Sequence, residues 1–209
     1  MNKQLTAILA VAIIIGSVFF IYRQQAGPQM RSNVTVFRGL GEVVAEQTLK
    51  AVNNRGQVVI WMFKHTDENN PAMEAILKSL TESLKKAPNV KLLPSEKVTI
   101  NTAGEGVSEV AGIPKSQFLD LLEKYSTANF VISFVGVPSL TAQDKRSLGE
   151  KHPKLLVVDT FEYAGQAKQY DPQLVATAIV PRLGGVSTNT EAKTARQMFD
   201  RYFQVLTAE

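Results

Sequence analysis

The stretch Gln57–Asn70, QVVIWMFKHTDENN, decides how this chain is read. After Gln57 it is apolar as far as Phe63, with no polar alternation, which marks a strand buried on both faces. From Lys64 onward it is polar without a break. A strand of that kind belongs to a parallel sheet covered by helices, where ligands gather beyond the carboxyl ends of the strands. Lys64, His65 and Asp67 are thus candidates for an anionic or hydroxylated ligand, or for nothing more than the loop into the next helix. That helix has Asn70 as its cap and Pro71 in its first turn.

Outward from this strand, helix and strand patterns alternate. Glu42–Val52 reads as a helix that stops at NNRG, and Met73, Ile76, Leu77, Leu80 and Leu84 follow the spacing of a buried helix face. NVKLL is a short strand. Glu96–Pro114, small and polar, reads as a long loop able to act as a lid. A helix over Pro114–Tyr125 buries Phe118, Leu121, Leu122 and Tyr125. Asn129–Gly136 (NFVISFVG) and Lys154–Phe161 (KLLVVDTF) are continuous apolar strands, with Thr141–Glu150 helical between them. Leu174–Val180 supplies a fifth strand. Thr188 and Glu191 form a capping-box pattern before a last helix that buries Ala195, Met198, Phe199, Tyr202, Phe203 and Leu206. The expectation is a three-layer, doubly wound α/β domain over 41–209 with a mostly parallel five-stranded sheet.

The 209 residues are 44% hydrophobic and 20% charged, enough for one such domain. The formal charge is +4, but residues 1–41 hold four basic residues and no acidic one; removing those four from 23 leaves 19, equal to the 19 acids. The domain itself is neutral, which gives no support to nucleic acid as a partner. With no cysteine, disulfides, thiolate metal sites and a lipidated cysteine anchor are excluded. Leu5–Tyr22, LTAILAVAIIIGSVFFIY, carries no charge over 18 residues. At about 1.5 Å per residue it spans roughly 27 Å, close to the thickness of a bilayer core. Residues 1–22 are therefore expected to be an uncleaved transmembrane anchor, with 23–40 a basic linker and the domain outside the cytoplasm.

From Gly41 to Leu183 the sequence resembles the C-terminal lobe of the type 1 periplasmic sugar-binding proteins. The resemblance runs through GEVVAEQTLKAVNNRGQVVIW, AMEAILKSLTESLKKAPNVKLLPSEKV and FLDLLEKYSTANFVISFVGVPSL, and is clearest in KLLVVDTF and YDPQLVATAIVPRL. It implies a single lobe of a binding protein, and it implies that Asp159 takes the place of an acidic residue facing the sugar.

By position alone, Asp159 follows an apolar strand and must emerge at the carboxyl edge, near Phe161 and Tyr163. Acid beside aromatics suits sugar hydroxyls and ring faces. Pro138 and Ser139 follow the neighbouring strand and join the candidate site, with Lys64, His65 and Asp67 at its border. No metal site and no cofactor are expected, since P-loop, zinc-protease and G-x-S-x-G patterns are all missing. One other pattern stands: VTVFRGLGEVV, a strand followed by Gly39-x-Gly41 and a helix, resembles a dinucleotide-binding turn. Three readings are open at this point. The first is a non-catalytic module for a small polar, sugar-like ligand or a protein partner. The second is a scaffold component of a cell-envelope complex, and the third a nucleotide-dependent enzyme.

Overall fold

The computed structural model describes residues 28–64, 70–99, 113–149, 152–159, 170–182 and 194–207. In chain order these form α1 (Pro28–Ala51), β1 (Gly56–Phe63), α2 (Pro71–Leu84), β2 (Val90–Leu92), β3 (Glu96–Val98) and α3 (Lys115–Lys124). Then come β4 (Phe130–Ser133), α4 (Ala142–Leu148), β5 (Lys154–Val158), β6 (Val175–Pro181), α5 (Ala195–Tyr202) and β7 (Phe203–Thr207).

β1 is the hub of the sheet. It pairs in parallel with β4 on one side and with β2 and then β3 on the other. The order continues β4-β5-β6, all parallel, and ends in β7, which pairs antiparallel to β6. The apolar run in β1 alternates between two cores, as a doubly covered strand must. Val58, Ile60 and Met62 face α1, α2 and α5, whereas Val59 and Trp61 face α3 with Phe118, Leu121 and Leu122. Trp61 is fully buried, set edge-on to Phe118 with ring centroids 5.8 Å apart. The cap expected of Asn70 is present, its side chain accepting from the Met73 N–H at 3.2 Å.

The parallel α/β architecture agrees with the sequence reading, but four elements differ from it. Among the described residues the sheet has seven strands and not five. Glu96–Val98, assigned to a loop, is β3: it continues the edge that β2 begins, after a break at Leu93–Ser95 where Pro94 has no N–H to donate.

The last helix ends at Tyr202, which is 40% exposed, and does not run on to Leu206. Phe203 and Val205 turn to one core and Leu206 to the other, so the period there is two and the residues pair with β6. The capping box of that helix is Thr194 with Gln197; Thr188 and Glu191 lie outside the described residues.

The third difference is at the start. Residues 28–40, expected in the linker, are already part of α1, and Val36, Leu40, Val43 and Val44 bury one face of it against α2, α5 and the sheet. That 3-and-4 spacing overrides the β-branched character of Val34–Phe37.

The fourth is a consequence of the third. Gly39 and Gly41 lie inside a helix, not at a strand-to-helix turn, and their role is close packing. A Cβ at Gly39 would stand 2.1 Å from the Ala195 carbonyl oxygen, and one at Gly41 would stand 2.3 Å from that of Ile76. The dinucleotide-turn reading, and with it the sequence basis for a nucleotide-dependent enzyme, is withdrawn. Among the described residues no helix is long and apolar enough to cross a membrane; Leu5–Tyr22 lies outside them.

Candidate functional site

Parallel pairing brings the ends of β1, β4, β5 and β6 to one edge, where the backbone ladder fixes the first residues beyond each strand. At the end of β1, the Lys64 N–H donates to the Val98 carbonyl at 2.7 Å, so Lys64 leaves the sheet as an exposed side chain beside β3. Past β4, the Phe134 N–H donates to the Trp61 carbonyl at 2.9 Å. Beyond β5, the Asp159 N–H donates to the Ile179 carbonyl at 2.9 Å, which carries the ladder one residue further and leaves the Asp159 side chain half-buried on the edge.

Between β4 and α4 the chain is pinned at several points. The buried Ser133 hydroxyl donates to the Gly136 carbonyl at 2.9 Å, and the Ile113 N–H donates to the Val135 carbonyl at 3.2 Å. Gly136 takes a φ of +74°, with nothing near the place where a Cβ would sit, so backbone conformation and not space is what calls for glycine. At the far end of this loop Thr141 and Asp144 cap α4 reciprocally, and Lys115 of α3 reaches Asp144 at 3.2 Å. The hydroxyl and N–H of Thr141, with Lys115 behind them, hold the Asp144 carboxyl below the usual range. Pro138 and Ser139 are thus carried on a braced loop, Pro138 half-buried and Ser139 exposed.

The expected site residues divide accordingly. Lys64, Pro138, Ser139 and Asp159 all follow strands on the same edge, whereas His65, Asp67 and Phe161 lie outside the described residues. His152 stands at the opposite edge, just before β5, its Nδ1 3.2 Å from the Pro153 carbonyl. One aromatic escaped the sequence reading. Tyr170, just ahead of β6, has its phenol pushed up to about 12, first by burial and then by the negative charge of Asp159. Its sequence setting is a polar loop, and its link to that carboxylate depends on the parallel pairing of β5 with β6.

A concavity of about 410 Å³ runs along α2, lined by Glu74, Leu77, Lys78, Thr81, Glu82 and Lys85. All six belong to one helix or its cap, so it is a surface groove separate from the strand ends. Among the described residues, no group of three or more histidines or carboxylates is placed to hold a metal ion.

An edge of parallel strand ends with a carboxylate and a braced loop can be compared with known structures. A solute-binding protein of an ABC transporter from Burkholderia graminis, in complex with D-arabinose, superposes over 81% of this chain with a TM-score of 0.51 and 13% identity. The fold is that of the periplasmic sugar-binding proteins. A second structure, the XylFII molecule, superposes over 85% of the chain with a TM-score of 0.50, again at 13% identity. The chain spans 59% and 61% of the lengths of these two proteins. This partial span of the type 1 periplasmic-binding fold is consistent with a single lobe. No family model and no curated protein matches the sequence.

Proposed function

We propose that this chain is a membrane-tethered, non-catalytic binding module that takes a small polar, sugar-like ligand at the carboxyl edge of its sheet. The observation that carries the reading is Asp159. It is a half-exposed carboxylate fixed at the end of β5 by its own N–H, on the edge that also carries Ser139 and Lys64. A carboxylate accepts from paired sugar hydroxyls, and an exposed lysine and serine offer donors for the remaining oxygens. The arabinose-bound protein of the same fold supports a sugar as the first class to test. Leu5–Tyr22 supplies the anchor in this reading, with the domain outside the cytoplasm.

The test is a thermal-shift panel on residues 28–209 with pentoses, hexoses, nucleosides and dinucleotides. At a hundredfold excess over the dissociation constant, a true ligand stabilises by about 2.7 kcal/mol, a shift of several degrees for a domain of this size. A shift with a sugar and none with the nucleotides is expected. If no small molecule stabilises the domain, the edge is a protein-contact surface and the envelope-scaffold reading takes the place of this one.

A further inference from the structure

The direction of α1 relates the candidate edge to the apolar N-terminal segment. The turn over Val52–Arg55 joins the end of α1 to the start of β1, so α1 runs down from the carboxyl edge to the amino edge. Its 24 residues at about 1.5 Å each reach roughly 36 Å, whereas the 8 residues of β1 at about 3.3 Å reach roughly 26 Å. The surplus stands beyond the carboxyl edge. A second measure agrees. Gly41 packs on Ile76 of α2, a helix that also descends from that edge. Counting equally toward the start of both helices sets the first residue of α2, Pro71, level with Val36. Val36 is also buried, being 8% exposed against 41% for Val34. The part of α1 before Val36 therefore rises roughly 12 Å above the candidate edge.

Between Tyr22, the end of the uncharged segment, and Pro28 lie only Arg23–Gly27. Even fully extended, these residues reach only about 17 Å. To bring the opposite edge of the sheet against a bilayer, the chain would have to return along the length of α1, roughly 36 Å. The tether is too short by half.

We propose that the carboxyl edge of the sheet, with Lys64, Ser139 and Asp159, faces the lipid surface in which the N-terminal segment is embedded. Whatever occupies the edge does so in the gap between domain and bilayer. This rests on the anchor reading above and is independent of which ligand the edge takes.

The natural chain contains no cysteine, so single labels can be placed without background. Ser139→Cys puts a fluorophore on the carboxyl edge and Thr127→Cys puts one in the exposed turn before β4, at the amino edge. The full chain carrying either label is reconstituted in phosphatidylcholine–phosphatidylglycerol vesicles, with headgroup-nitroxide lipid in both leaflets, and floated on a density gradient. The expected result is that both proteins float, that the Ser139→Cys label loses emission to the nitroxide, and that the Thr127→Cys label does not. Floating protein with quenching at Thr127→Cys alone, or equal quenching at both, overturns the orientation and leaves the anchor standing. Protein that stays at the bottom of the gradient overturns the anchor, and the orientation with it.

Discussion

Gly39 of α1 lies against the Ala195 carbonyl of α5, so close that a Cβ at Gly39 would fall 2.1 Å from that oxygen. In an exposed helix, glycine to alanine gains up to about 1 kcal/mol from propensity. Here the added methyl meets backbone that cannot move without shifting α5. Gly39→Ala is expected to destabilise by about 1–3 kcal/mol, as overpacking does, and Gly41→Ala to do the same against Ile76. Urea unfolding of residues 28–209 measures both. A stabilised Gly39→Ala would mean that α1 and α5 do not touch as described.

The same contacts set the boundary of the folding unit. Residues 28–209 retain Val36 and Leu40, which are buried in the core, and should give a folded, monodisperse protein. Residues 41–209 lack both, and each loss is comparable to a core truncation of roughly 2–5 kcal/mol. That shorter chain should aggregate or lose helicity by circular dichroism. Equal stability of the two would return residues 28–40 to the status of a linker.

Glu96 at the head of β3 accepts from both Lys124 and the Tyr125 hydroxyl. Burial raises its pKa, but these two donors outweigh burial and hold the carboxyl below its usual range. A group depressed in the folded state contributes stability above its unfolded pKa and loses it as pH falls through the lower folded value. Glu96→Gln should therefore flatten part of the acid side of the stability curve. Tyr125→Phe removes one donor and raises the folded-state pKa, so the loss should be smaller and complete at a higher pH. Trp61, the sole tryptophan, packs at 6.2 Å from Tyr125 and reports the unfolding by fluorescence. An acid limb unchanged in Glu96→Gln would contradict this assignment.

α4 buries no residue and is tied down by Lys115–Asp144 at 3.2 Å and Lys145–Asp171 at 2.7 Å. Pairs of this kind add little to global stability and weaken with salt. The amides of α4 should exchange with solvent earlier than those of α3, and faster still at high salt. Lys115→Ala with Lys145→Ala should speed that exchange without shifting the melting temperature. Protection of α4 equal to that of β4 would show that burial holds it after all.

Much of this fold was legible in the sequence because buried parallel strands carry their own signature. The runs in β1, β4, β5 and β6 are apolar on both faces, short, and separated by helical patterns. The elements that were missed depended on partners far along the chain. Val34–Phe37 looks like a strand until α2 and α5 are set against it. Phe203–Leu206 fits a helix or a strand equally, and β6 decides. Gly39-x-Gly41 resembled a phosphate-binding turn because spacing alone does not distinguish a tight turn from a close helix crossing. At the candidate edge the strand-end residues Lys64, Ser139 and Asp159 were readable, since each follows an apolar run. Tyr170 was not, because its link to the charge of Asp159 depends on the pairing of β5 with β6.

Whether Asp159 binds a ligand at the carboxyl edge is decided by calorimetric titration of the sugar that gives the largest thermal shift, into residues 28–209 and into Asp159→Asn and Thr127→Ala. Losing a charge-assisted hydrogen bond costs about 1–3 kcal/mol, so Asp159→Asn should weaken binding by roughly 5- to 150-fold with an unchanged melting temperature. Thr127→Ala, at the opposite edge, should bind as the natural chain does. Undiminished affinity in Asp159→Asn, or a loss confined to Thr127→Ala, would contradict the account.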